Sequence, residues 1–168
     1  MRISIVYLFA LLIAGSATAA SFDPPKRKSG LWELKVQHEK MPGPQVMQQC
    51  VDQKTDDMMK DSAQAKEATS CSKNELRKEG ANIVAESVCK VNGSSAKTRA
   101  VFSGNFESAY KVDSRSTYEP PLHGMREATT KMEAKWLGPC KAGQKPGDVM
   151  IQGLPGMNLD ELMKGMKR

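Results

Sequence analysis

Alternation of apolar and polar residues is the main pattern along this chain, and it predicts β-strands. From Leu31 onward, apolar side chains at Trp32, Leu34 and Val36 alternate with polar ones, as in a strand with one buried face. Further strands are expected over residues 46–51, 71–79, 82–91, 97–104, 106–118 and 127–137, and the alternation is clearest over the last of these. Turn residues separate these segments, and Pro120-Pro121 is expected to end the sixth one.

One-sided alternation with tight turns is typical of antiparallel sheets. We therefore expect a mainly β fold, a single curved antiparallel meander that forms an open or closed barrel, or a sandwich. Two short helices are also expected. Thr55 and Asp56 offer a cap for a helix near 55–67, and Asn158 begins a capping-box pattern for a short amphipathic C-terminal helix.

The first residues have the pattern of a cleavable secretory signal. Arg2 precedes an apolar run over residues 3–13, and Ala17-Thr18-Ala19 supplies the small-x-small cleavage pattern. The apolar run is shorter than the ~20 residues that span a bilayer. We expect a signal peptide at 1–19, a disulfide-stapled β domain at 28–141, and a Gly/Pro-rich tail with the short helix at 142–168. The mature protein should be periplasmic and soluble, without a transmembrane anchor.

The chain has four cysteines, and an even number in an exported protein predicts disulfides. Folding the hairpin about Gly80 places Cys71 opposite Cys89, at a separation that a disulfide can bridge. That register favours Cys71–Cys89 and leaves Cys50–Cys140, although a slip at the turn would leave the other pairings open. The spacing of the cysteines is too wide for a zinc site.

The net charge of +6 is spread among acidic residues rather than concentrated with aromatic ones. Nucleic-acid binding is therefore not expected. The local basic clusters, Lys26-Arg27-Lys28 and Lys164 to Arg168, are interpreted as solvated surface.

The order of several short motifs resembles a known family. These motifs are Ser29-Gly30-Leu31-Trp32-Glu33, Met41-Pro42-Gly43, Gln48-Gln49-Cys50-Val51, Phe102-Ser103-Gly104 and Gly138-Pro139-Cys140, together with Cys71 and Cys89. They resemble small exported proteobacterial proteins of the domain of unknown function family number 3617, over residues 28–141. The resemblance implies an exported, β-rich protein with paired cysteines. It carries over no catalytic residues.

Enzymatic activity is not expected, because the chain has two histidines, its thiols are expected to be oxidised, and no catalytic motif spacing is present. The leading hypothesis is a binding or structural module of the cell envelope, holding an apolar small molecule or a segment of an envelope protein against an apolar concave face. The candidate residues for that face are Trp32, Leu34, Val36, Phe102, Tyr110, Met132 and Trp136. The alternative is that these residues simply form the core.

Copper handling is a second hypothesis, of a different class. His38 lies near Met41 and His123 near Met125, and imidazole with thioether sulfur suits Cu(I). Methionine is also a common gap-filler in cores, so a packing role stays open for these residues. No resident cofactor is expected.

Overall fold

The computed structural model describes residues 22–56 and 70–152, together with the backbone of residues 157 and 158. All regular structure in these residues is β-strand, and none of it is helix. The strands are β1 (Gly30–His38), β2 (Gln45–Val51), β3 (Cys71–Glu79), β4 (Asn82–Val91), β5 (Ser94–Asn105), β6 (Ala109–Leu122), β7 (Met125–Gly138), β8 (Asp148–Ile151) and β9 (Met157–Asn158). The prediction of a mainly β, antiparallel protein is confirmed.

The strands form one open sheet in the order β3-β4-β5-β6-β7-β1-β2-β8-β9. Strands β3 to β7 are the predicted meander, each pairing with the next. The expected closed barrel and the sandwich are wrong. A closed barrel would need β2 to pair with β3 as well as β1 with β7. Strand β1 does pair with β7, but β2 pairs with β8 on its other side and β3 stays at an edge, so the sheet is open.

Three local predictions differ from the structure. Pro120 and Pro121 do not end the sixth strand, which runs on to Leu122. At these two prolines the pairing with β7 is irregular. The absence of their N–H groups therefore does not cost the sheet a hydrogen bond to β7. Phe106 lies in the turn before β6 rather than within the strand. Strand β8 falls within the predicted tail and pairs with β2; four residues are too few to show a periodic pattern.

Both predicted helices lie mainly outside the described residues. Of the helix expected near 55–67, only Thr55 and Asp56 are described, and they lie in a turn and an irregular segment. Of the expected C-terminal helix, only Asn158 is described, and it belongs to β9. The predicted signal segment, residues 1–19, is likewise outside the described part.

The sheet has two faces, because directly opposed residues of neighbouring strands share a face. One face, which we call the apolar face, carries the core cluster. Its buried members are Trp32, Leu34, Val51, Ile83, Phe102, Phe106, Tyr110, Val112 and Ala134. The segment preceding β1 packs here too: Phe22 contacts the cluster and the Lys28 N–H donates a hydrogen bond of 3.0 Å to the Phe106 carbonyl. We call the opposite face the polar face.

The start of β1 explains why the Gly-Leu-Trp sequence suits this position. Gly30 has a φ of +134°, and a Cβ built on it would collide with the Gly138 carbonyl oxygen and the Trp136 indole. The indole N–H of Trp136 donates to the Ser29 carbonyl at 3.1 Å, and that of Trp32 to the Lys28 carbonyl at 2.8 Å. Only glycine leaves room for the Trp136 indole and the Gly138 carbonyl at this crossing.

We expect Gly30→Ala to lower the free energy of unfolding by about 1–3 kcal/mol, because the added methyl group overpacks a close backbone approach. The matched control is Gly43→Ala, since Gly43 also has a positive φ, of +80°, but a Cβ there meets nothing within 4 Å. Urea unfolding followed by tryptophan fluorescence measures both variants. Equal losses would show that φ alone, and not the approach to Gly138, requires glycine at position 30.

Candidate functional site

The seven residues predicted to line an apolar binding face do share one face of the sheet. Trp32 is directly opposite Trp136 and Val36 is opposite Met132. Trp32, Leu34, Phe102 and Tyr110 are fully buried, with Trp32 0% exposed. Met132 and Trp136 are partly buried against the core cluster, and Val36 is half-buried.

Aromatic rings fill the centre of this face rather than lining an open space. The ring centroids of Trp32 and Tyr110 are 5.5 Å apart, and those of Phe106 and Tyr110 are 4.8 Å apart. Such spacings are those of packed aromatic pairs. The structure therefore places the four buried candidates in the core, as the packing alternative expects.

A buried ion pair joins two chain segments beside this core. Arg27 Nη2 lies 2.7 Å from Asp56 Oδ1, and the side chains of the pair are 4% and 5% exposed. The Arg27 backbone N–H also donates to Asp56 Oδ2 at 2.8 Å, and Arg27 Nη1 donates to Gln49 Oε1 at 3.0 Å. The interpretation of Lys26-Arg27-Lys28 as solvated surface is wrong for Arg27, because Asp56 neutralises it inside the protein. Lys28 Nζ lies 4.0 Å from the Trp136 ring centroid.

Burial and charge both act on this cluster. Burial alone would lower the pKa of Arg27, but the interactions with Asp56 and Tyr110 together outweigh it and the pKa is raised. Burial raises the pKa of Tyr110, although the positive charge of Arg27 opposes that change. Arg27 therefore stays charged, and its ion pair with Asp56 holds the lead-in segment to the loop after β2.

Two open grooves run along the polar face instead. The first, which we call the arginine groove, has a volume of about 490 Å³ and crosses β3 to β7. Its lining residues are Lys73, Glu86, Ser87, Val88, Lys97, Thr98, Arg99, Val101, Asp113, Ser114, Arg115, Thr117 and Thr129. The second, the lysine groove, has a volume of about 570 Å³ and crosses β1, β7, β6 and β5. Its polar-face lining residues are Glu33, Lys35, Ser103, Ala109, Lys111, Glu133 and Lys135.

Valines give the arginine groove an apolar floor within a charged rim. Val88 and Val101 line it and are half-buried. Val84, directly opposite Val101 on the same face, is only 1% exposed. Arg77 lies directly opposite Val84 on its other side. The stem of such a side chain can cover apolar surface while its head stays in water.

A closed ring of four ion pairs borders the groove. Arg77 Nη2 lies 2.8 Å from Glu79 Oε1 and 2.9 Å from Glu86 Oε1. Arg99 Nη2 lies 3.0 Å from Glu79 Oε2, and its Nη1 lies 2.7 Å from Glu86 Oε1. Because Glu79 belongs to β3 and Arg99 to β5, the ring spans three strands and fixes the positions of its side chains.

Glu86 is the shared anion of this ring. It accepts hydrogen bonds from Arg77, Lys73 and Arg99, which together hold its pKa well below the ordinary value of 4.5. The carboxylate therefore stays charged at neutral pH and well into the acid range. Glu75 and Glu79 also pair with these cations, so Lys73, Arg77 and Arg99 face an equal number of carboxylates.

The candidate copper residues fall into two separate places. His38 ends β1, and its Nδ1 lies 3.0 Å from Thr130 Oγ1, while Met41 lies in the following turn and is 44% exposed. His123 lies in the turn between β6 and β7, with a φ of +47°, and Met125 begins β7. Thr130 is five positions along β7 from Met125, about 16 Å, so the structure does not join the pairs. Within residues 22–56 and 70–152, no cluster of three or more His, Cys, Asp or Glu side chains could hold a metal ion.

Both disulfides form with the pairing that the hairpin register favours. Cys71 lies directly opposite Cys89 across β3 and β4, and the two Cα atoms are 3.9 Å apart. Cys50–Cys140 joins residues 90 positions apart, with a Cα separation of 5.4 Å. This second bridge crosses β1, because Leu31 lies opposite Cys50 on one side and Gly138 on the other.

The model of the family described as "Protein of unknown function (DUF3617)" matches residues 27–140. The chain belongs to this family. The DUF3617 match begins at the buried Arg27 and ends at Cys140, so it covers β1 to β7 and both disulfides. No curated protein and no solved structure matches the chain.

Two further findings bear on where this DUF3617 protein works. Two disulfides are consistent with folding in an oxidising compartment. Within the part of the chain that the structure describes, no helix is long and apolar enough to cross a membrane.

Proposed function

We propose that this DUF3617 protein is a non-enzymatic, periplasmic binding module that holds a ligand with an apolar body in the arginine groove. The observation that carries the proposal is the combination of an apolar floor, at Val88 and Val101, with a rim of fixed charges. A volume of about 490 Å³ lies within the usual range for small-molecule sites. We therefore propose the polar face as the ligand site, in place of the apolar face that the sequence suggested, because the aromatic residues of the apolar face are in the core.

The periplasm is proposed on two grounds. Residues 1–19 have the charge order, apolar run and cleavage pattern of a secretory signal. Both disulfides also suit an oxidising compartment, of which the periplasm is one.

A binding role is favoured over catalysis by the chemistry of the groove. Its described lining contains no histidine, and all four cysteines of the chain are in disulfides, so neither a thiolate nor an imidazole base faces the space. The alternative hypothesis, Cu(I) binding by His/Met pairs, gains no support from the described geometry, in which the two pairs lie apart.

Delipidated protein titrated with a fluorescent fatty-acid analogue tests the proposal. We expect saturable binding that Val101→Glu weakens by about tenfold or more, because the substitution places a charge on the apolar floor. Ser103→Glu is the matched control: Ser103 is two residues along β5 on the same face, but it lines the lysine groove. Its affinity for the probe should be unchanged.

Circular dichroism and thermal unfolding check that both variants fold, and Val88→Glu replaces Val101→Glu if the latter does not. Loss of binding in Ser103→Glu alone would move the site to the lysine groove. Absence of saturable binding to the unaltered protein would overturn the proposal.

A further inference from the structure

Positive charge is concentrated at one point of the arginine groove. Arg99 on β5 lies directly opposite Arg115 on β6, and Thr129 on β7 lies opposite Arg115 on its other side. Lys97 is two residues from Arg99 on the same face and lies opposite Thr117. The guanidinium groups of Arg99 and Arg115 and the ammonium group of Lys97 thus lie on one surface. The hydroxyl groups of Thr117 and Thr129 lie beside them.

Like charges directly opposite one another on neighbouring strands are unfavourable without a balancing anion. Ion pairs within the protein balance the two arginines and leave Lys97 unbalanced. Arg99 is paired with Glu79 and Glu86, and Arg115 with Glu127, whose Oε1 lies 2.7 Å from Arg115 Nε. Lys97 has no hydrogen-bond or ion-pair partner among the described residues, and its side chain is exposed. Four cations and two anions line the groove, the anions being Glu86 and Asp113.

The charges and the apolar floor are adjacent. Val101 follows Arg99 by two residues on β5, and Val88 lies directly opposite Lys97 across β4 and β5. A ligand that lies over the valines therefore brings one end to Lys97 and the arginines. This arrangement fits an amphipathic molecule, with an apolar body and an anionic head, better than a neutral one.

We propose that the ligand class of the arginine groove is a free fatty acid, whose carboxylate binds Lys97 and Arg115 and whose acyl chain covers Val88 and Val101. The inference rests on the proposed function and adds the class of ligand that the arginine groove selects. A volume of about 490 Å³ suits one acyl chain rather than the two of a phospholipid. Arg99 is a positioning residue here, since it is held in the ring with Glu79 and Glu86.

Calorimetric titration of the full disulfide-bonded chain with dodecanoate and with dodecanol, both below their aggregation limits, tests this selectivity. We expect dodecanoate to bind about tenfold or more tightly than dodecanol, because charge-assisted hydrogen bonds act on the carboxylate alone. The double variant Lys97→Gln/Arg115→Gln should lose that preference and keep its affinity for dodecanol. Lys135→Gln, in the lysine groove, is the matched control and should keep the preference.

The outcomes separate the two proposals. Equal affinity of the unaltered protein for both compounds would overturn the fatty-acid inference and leave the proposed function standing. A double variant that weakens both compounds equally would also overturn it, since the cations would then support the groove rather than bind a head group. Failure of both compounds to bind would overturn the inference and the proposed function together.

Discussion

Arg27→Met should lower the free energy of unfolding by about 3–5 kcal/mol, the range typical when one partner of a buried ion pair is removed. The substitution leaves the Asp56 carboxylate, 5% exposed, without the guanidinium that donates three of the four hydrogen bonds it accepts from the described residues; the fourth comes from the Arg27 backbone. It also removes the side-chain link between the lead-in segment and the loop after β2, and leaves the weaker bonds that join Lys26 and Ser29 to that loop. Urea unfolding followed by the fluorescence of Trp32 and Trp136 measures the loss.

The matched control removes both charges at once. Arg27→Met/Asp56→Leu should recover most of the lost stability, because apolar side chains often replace a buried ion pair without penalty. Arg115→Met, which breaks the exposed pair with Glu127, should have a much smaller effect. If the double variant is as unstable as Arg27→Met, the ion pair is not what holds the two segments together.

Removing the Cys50–Cys140 disulfide by a double alanine substitution should lower the free energy of unfolding by about 4–5 kcal/mol. The chain-entropy model gives this value for a closed loop of 90 residues, because the cross-link restricts the unfolded chain. Thermal unfolding under non-reducing conditions measures it.

The comparison variant is Cys71→Ala/Cys89→Ala, which opens a loop of only 18 residues and should lower the stability by about 3 kcal/mol. Each variant keeps one disulfide intact, so the two differ in loop length and position. A larger loss from the shorter loop would mean that local packing, rather than chain entropy, sets the contribution of these bridges.

The meander of β3 to β7 was predictable because its signals are local. Alternation marks most of these strands, and the turn at Gly80 both reveals β3 and sets the register that places Cys71 opposite Cys89. The neighbours of β1 were not predictable in the same way. Strand β1 pairs with β7, about a hundred residues away, and no local pattern specifies that partner.

The site was less predictable than the fold. Periodicity places Trp32 and Tyr110 on an apolar face, but it does not distinguish a cavity wall from a packed core. That distinction depends on what covers the face, including Arg27, whose burial no pattern marks. On the polar face, Arg99 and Arg115 are sixteen residues apart and become neighbours only through the register of β5 and β6.

The position of β1 between β7 and β2 also bears on the order in which the chain folds. The meander forms from contacts between consecutive segments, which close quickly, whereas docking β1 onto β7 closes a far longer loop and is the slower event. The Cys71–Cys89 bond can therefore form on an isolated hairpin. Cys50 reaches Cys140 only when β1 and β2 have joined the sheet, so oxidation of that pair records that the fold is complete.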